Sequence, residues 1–218
     1  MRISSFARWV AACSLVSVFS WCASYSIGGA ASVEKTRTMP ATDPRLDMVT
    51  ALQALSPHAS LGTQAQVFGR LVGTWDGEYT EFSKDGKAMH SSGEWIFGWV
   101  MGGLAIQDLF IIHPSAAHQA GFVGTTLRFY DPKSQTWSVT FVDPENGAVE
   151  TMTGSAAGDD RIVLLSNDSD GRESRWSFNE MRADSWIFRD EASTDSGKTW
   201  RLREEDHMTR RRAVPPAK

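Results

Sequence analysis

The residues in this chain that could do chemistry are its histidines, a few strand-borne carboxylates and a recurring set of tryptophans. Five histidines, His58, His90, His113, His118 and His207, are the candidate metal ligands. His113 and His118 share one loop with Pro114 between them. No His-x-Glu or Glu-x-x-His spacing adjoins that loop to supply a third ligand, so no metal site is expected. A Gly-x-Ser-x-Gly elbow is absent and the serines fall mostly in turns, which argues against a nucleophilic triad. Glu94, Asp108 and Glu150 lie in strand-like runs and could point inward. Acid–base work would need two such carboxyls to converge with shifted pKa values, and spacing alone does not bring them together.

The tryptophans carry more information. Trp75, Trp95, Trp99, Trp137, Trp176, Trp186 and Trp200 recur along most of the chain. They can fill a core and plug its ends, or they can wall a cavity for an apolar ligand oriented by a few polar groups. On the second reading the ligand-binding candidates are Trp95, Trp99, Trp137, Trp176 and Trp186, with Gln107, Arg128 and Tyr130 as polar partners. Asp108 and Arg189 are further strand residues that could serve.

The segments around these residues fall into distinct classes. Arg2 and Arg8 without an acid, followed by an uncharged run from Trp9 to Trp21, form the basic and apolar regions of a signal peptide, too short to span a membrane. Small residues at Gly28 and Ala30 suggest cleavage after Ala30, and Cys22-Ala23-Ser24 offers a second site. Both cysteines, Cys13 and Cys22, lie in this segment, so the exported chain would have no disulfide and no thiol. A lipid anchor on Cys22 is disfavoured because Trp21 stands where a small residue is needed. Of 22 basic and 26 acidic residues, losing Arg2 and Arg8 leaves 20 and 26, a net charge of −6. An acidic chain without a basic stripe is a poor binder of phosphate backbones, and nucleic acid is not an expected partner.

Asp43-Pro44 marks a helix start, and Leu46, Val49, Leu52 and Leu55 predict an amphipathic helix over 44–55. Ala65, Val67, Phe68 and Leu71 predict a second over 63–71. From Thr74 the punctuation changes to turn formers: Lys84-Asp85-Gly86-Lys87, Gly102-Gly103, Asp131-Pro132, Asp143-Pro144-Glu145-Asn146-Gly147, Asp168-Ser169-Asp170-Gly171 and Asp195-Ser196-Gly197. Between these and similar turns lie ten strand-like runs, about 74–83, 88–101, 104–112, 122–130, 136–142, 148–155, 161–167, 172–180, 185–192 and 198–208. Several alternate with period two, as in Trp137, Val139 and Phe141 on one face with Ser138 and Thr140 on the other. Only 113–121 is long enough for the crossing that a two-sheet sandwich needs. An open meander would expose two edges, and closure removes them. The expected fold is an all-β, roughly ten-stranded, antiparallel up-and-down barrel preceded by two short helices.

With these elements placed, the chain resembles the calycin superfamily of lipocalins, fatty-acid-binding proteins and nitrobindin-like barrels. A short helix leads into Gly73-Thr74-Trp75, the Gly-x-Trp of their first strand. The fuller set, from Leu71-Val72-Gly73-Thr74-Trp75 through Gly98-Trp99-Val100-Met101-Gly102-Gly103 and Thr126-Leu127-Arg128-Phe129-Tyr130-Asp131-Pro132 to Ser193–Trp200, is similar to a bacterial lipocalin-like domain family of unknown function over roughly 60–210. The resemblance implies a basic last-strand residue lying across Trp75, for which Arg201 and Arg203 are the candidates. It also implies that haem, if any cofactor is used, would take His207, since nitrobindin-like barrels ligate haem near the C-terminus. Glu204, Glu205 and Asp206 beside His207 read as a solvated strand end, and no cofactor is expected. Ser193-Thr194-Asp195-Ser196-Gly197-Lys198-Thr199-Trp200 matches the Asp-box of sialidase propellers. It occurs once, so a structural turn is the expectation.

The domain reading is a signal peptide at 1–30, a linker and short helix at 31–59, a barrel at 60–209 and a basic tail at 210–218. The functional expectation is an exported, periplasmic or secreted barrel that binds a small hydrophobic or amphipathic molecule and does not span a membrane. The alternatives are a haem-binding or other enzyme on the same barrel, and an envelope protein whose outer surface meets a partner.

Overall fold

The computed structural model describes residues 44–116, 118–167 and 173–212. The expected signal peptide and residues 213–218 of the expected tail lie outside them. A first helix, α1 (Pro44–Leu52), leads into a two-residue strand, β1 (Gln53–Ala54). A 3-10 segment (Ala59–Gln64) then runs into α2 (Ala65–Gly69). The meander follows as β2 (Gly73–Phe82), β3 (Ala88–Val100), β4 (Ala105–Ile112), β5 (Phe122–Asp131) and β6 (Thr136–Asp143). It continues as β7 (Ala148–Ala156), β8 (Ile162–Asn167), β9 (Glu173–Asn179), β10 (Ser185–Ser193) and β11 (Arg201–Arg210).

Each strand from β2 to β11 pairs antiparallel with the next, and β11 returns to pair with β2. The ten strands therefore form a closed barrel with no free edge, the arrangement the turn spacing predicts. The helices are shorter than expected. α1 stops at Leu52 because Gln53 and Ala54 pair with Val100 and Trp99 of β3. The predicted apolar stripe is consequently not buried among the described residues: Val49 is exposed and Leu55 almost wholly so.

Alternation places Trp75, Trp95, Phe97, Trp99, Ile106, Trp137, Phe178 and Trp186 inside the barrel, packed with Phe68 of α2 and Leu71 of the turn that follows it. Trp95 is the hub, with ring centroids 5.0–5.3 Å from Phe97, Phe110, Trp186 and Phe188. These tilted and edge-on contacts suit aromatic quadrupoles better than face-to-face stacking. One half of the barrel is thus filled by side chains.

The end beneath α2 is locked by one cation. The Arg210 guanidinium lies 3.9 Å from the Trp75 ring centroid. Its N–H groups donate to the carbonyls of Arg70, Val72 and Ala183 at 2.7–2.9 Å. The Trp75 indole donates to the Leu71 carbonyl at 2.7 Å. Gly73 is required here: its φ is +130°, and a Cβ would sit 2.7 Å from the Arg210 guanidinium. The residue across Trp75 is therefore Arg210 and not Arg201 or Arg203, which lie at the opposite end of β11. Arg211 follows by pairing with Asp76 and Glu94. The last strand ends at Arg210, the first residue of the expected tail.

Arg210→Ala is expected to lower unfolding free energy by about 2 kcal/mol, from the lost cation–π contact and the orphaned carbonyls. Arg201→Ala should change it by less than about 0.5 kcal/mol. Urea denaturation of both variants checks this.

Candidate functional site

The other half of the barrel is open. A cavity of about 740 Å³ runs in from the end bearing the β2–β3 and β6–β7 turns. Trp95, Phe110, Phe141, Trp176 and Phe188 give it an aromatic floor and wall. The hydroxyl of Thr126, fully buried at this floor, has no hydrogen-bond partner among the described residues. Above the rings the lining becomes ionic, with Glu81, Glu150, Asp190, Arg203 and Glu204.

A bulge accounts for part of this lining. Asp190 pairs with Glu204 but Glu191 pairs with Leu202, so Arg203 is skipped in the backbone register with β10. A bulge of this kind re-aims side chains, and it lets Arg203 and Glu204, adjacent in sequence, both line the cavity. Arg203 donates to Asp190 at 2.7 Å and to the Ser174 hydroxyl at 3.1 Å. Burial still holds the Asp190 carboxyl above its usual range, against the attraction of Arg203. The Glu150 carboxylate accepts from the Ser166 hydroxyl at 3.0 Å.

Past the bulge the inward parity of β11 continues through Asp206 and Met208, both buried. Asp206 lies beneath Glu204, and neither of its carboxyl oxygens receives a bond from a cationic side chain or a backbone N–H among the described residues. Burial, then the Glu204 charge, holds the Asp206 carboxyl far above the ordinary range. Glu204 is raised as well, by burial and by the charges of Asp190 and Glu81. Two such carboxyls cannot both ionise cheaply, so they share a proton. The Tyr79 phenol beside them is pushed upward by burial and by the Asp206 charge.

The sequence candidates divide between the two halves. Trp95 and Trp176 line the cavity. Trp99, Tyr130, Trp137 and Trp186 belong to the packed half, buried or packed against its core. Arg128 is also there, fully buried, paired with Asp108 and surrounded by Phe68, Phe97 and Phe178 at 5.3–5.9 Å. Asp108 also accepts the Thr126 N–H at 3.0 Å. Gln107 faces the outside of the sheet and donates to the Thr125 hydroxyl at 3.1 Å. His207 is exposed on the outer face, 3.2 Å from Glu205. Of the strand carboxylates, Glu150 enters the cavity, Asp108 is locked to Arg128, and Glu94 pairs outside with Arg211. The expectation that Glu204, Glu205 and Asp206 form a solvated strand end is corrected: Asp206 is wholly buried, Glu204 lines the cavity, and only Glu205 faces outward to Arg189.

The single Asp-box is a turn. The Asp195 carboxylate accepts the N–H groups of Lys198 and Thr199 and the hydroxyls of Ser193 and Thr199 at 2.6–3.1 Å. The Thr199 bonds foremost hold its pKa down to about 2. Trp200 packs beneath the Arg175 guanidinium, 4.1 Å away.

Among solved structures, the chain is similar to Rv2717c from M. tuberculosis. The identity is 13%, over 69% of this chain and 99% of that one, with a TM-score of 0.52. The S-type phycobiliprotein lyase CPES from Guillardia theta also aligns, with 10% identity over 67% of this chain and 92% of that one and a TM-score of 0.49. No protein-family model and no curated protein matches the chain. The closed ten-stranded meander and the first of these similarities make the fold calycin-like. Among the described residues no helix is long and apolar enough to cross a membrane.

The raised carboxyl pair fixes a pH dependence. Between the unfolded pKa of about 4 and the raised folded values, the folded chain holds more protons than the unfolded one. The pair's penalty is therefore absent below about pH 4 and grows as pH rises through its folded titration. Asp206→Asn should stabilise the protein by about 2 kcal/mol at pH 8 and by little at pH 4, flattening the decline between them. Thermal unfolding across this range reads the difference, and a loss of stability at pH 8 would contradict it.

Proposed function

We propose that this barrel binds a small amphipathic molecule in its open cavity, with the apolar part on the aromatic floor and the polar part among the ionic groups above. The observation that carries the reading is the cavity of about 740 Å³ itself. Small-molecule sites fall in a range of roughly 300–1,000 Å³ and combine apolar walls with a few convergent polar groups. A side chain of Trp95 or Trp176 loses no conformational freedom to such a ligand, because each ring is already held by its neighbours. The unpartnered Thr126 hydroxyl supports the reading further, since a ligand reaching the floor would give that group its hydrogen bond. The same reading has the chain exported, on the basic and then apolar composition of residues 1–30.

The uncharged dye N-phenyl-1-naphthylamine tests this. It should gain fluorescence with the full chain and quench emission from Trp95 and Trp176, with a Kd on the order of micromolar. Ser174→Trp projects a large ring into the cavity and should abolish the signal while the urea midpoint stays near the parent value. Undiminished dye binding in that variant would contradict the assignment.

A further inference from the structure

The ionic part of the cavity is short of positive charge. Its lining includes the carboxyl groups of Glu81, Asp143, Glu150, Asp190 and Glu204, against Lys84, Arg201 and Arg203. Lys84 and Arg201 are exposed. Arg203 is committed to Asp190 and Ser174. The groups facing Glu204 and Asp206 are then Tyr79 and Glu81 from β2, Asp190 from β10 and Arg203 from β11, with Glu150 of β7 bearing on Asp190 and Arg203. Glu81 is engaged by His118 of the β4–β5 loop, 2.7 Å away. No cation among the described residues reaches Asp206, which is fully buried. A fixed negative site in a low-dielectric pocket favours a positive guest, and it discriminates strongly against an anion of the same shape.

Resting on the reading of the cavity as a binding site, we infer that it selects organic cations, an apolar or aromatic body ending in an ammonium that pairs with Glu204 above Asp206. The aromatic floor takes the body. The ammonium supplies the donors that the carboxyl pair lacks, in charge-assisted hydrogen bonds. Its arrival also removes the reason for the pair to hold a proton. A positive charge beside two carboxyls lowers both pKa values, so one proton leaves Asp206 for bulk water as one cation enters. Binding of a cation is thereby linked to release of a proton, and affinity rises with pH as the pair loses its proton unaided.

The test uses three indoles that share a ring and differ in the head: tryptamine, tryptophol and indole-3-acetate. Calorimetry on the full chain at neutral pH is expected to show tryptamine binding about tenfold tighter than tryptophol, with indole-3-acetate weaker still. Repeating the tryptamine titration in buffers of different ionisation enthalpy should give about one proton released per ligand, and none for tryptophol. Glu204→Gln should bring tryptamine down to the level of tryptophol and abolish the proton release, with a cooperative urea transition showing that the barrel is still folded. Tryptophol or indole-3-acetate binding as tightly as tryptamine would overturn the cation selectivity and leave the cavity standing as a site. Failure of all three indoles while N-phenyl-1-naphthylamine still binds would do the same. Failure of the dye as well would overturn both readings.

Discussion

The Arg210 guanidinium over Trp75 is the contact on which the barrel's two-ended character depends. It joins the end of β11 to the start of β2 and fastens both to the backbone where α2 ends. A cation is well placed there, since the carbonyl of Arg70, the residue that caps α2, has no intrahelical partner. With that end sealed by Trp75, Leu71 and Phe68, the tryptophans behind it pack into one aromatic core. The large cavity lies at the other end, where small or polar residues such as Ser166, Ser174 and Glu150 line it.

Closure of ten strands therefore produces two environments from one repeating pattern. In the packed half an ion pair, Arg128 with Asp108, is buried among phenylalanine rings. Burial holds even that aspartate above its usual pKa, against the adjacent guanidinium. An internal ion pair of this kind is costly to break from one side, because the surviving charge is left without a counterion. In the open half the balance is reversed. Carboxyls outnumber available cations, and Asp206 and Glu204 meet the deficit by holding a proton. Both halves obey one rule, that charge removed from water must be matched or neutralised.

How much of this was legible in the sequence follows from which features are local. Asp85-Gly86 and the other turn pairs fix where strands end, because few residues tolerate those backbone angles. Period-two runs such as Trp137, Val139 and Phe141 fix the fold class for the same local reason. Features set by pairing across the barrel were not legible. That Arg210 rather than Arg201 or Arg203 meets Trp75 depends on the register of β11 against β2, in which Arg210 stands opposite Trp75. The buried acids escaped notice because Arg203-Glu204-Glu205-Asp206-His207 has the composition of a solvated edge. The bulge at Arg203 breaks the parity by which alternation would have been followed from Trp200. One signal was available: Met208, an apolar residue two positions after Asp206 and four after Glu204, places both acids on the inner face once period two is applied backwards. The apolar spacing of Leu46, Val49, Leu52 and Leu55 misled for a related reason, since β1 takes over from α1 at Gln53.

A crystal structure of the full chain grown with tryptamine at neutral pH tests the central claim most directly. The indole ring should lie against Trp95 and Trp176, with the ammonium nitrogen about 3 Å from a Glu204 carboxylate oxygen. An indole bound on the outer face of the barrel, or one inside with its ammonium directed away from Glu204 toward open solvent, would contradict it.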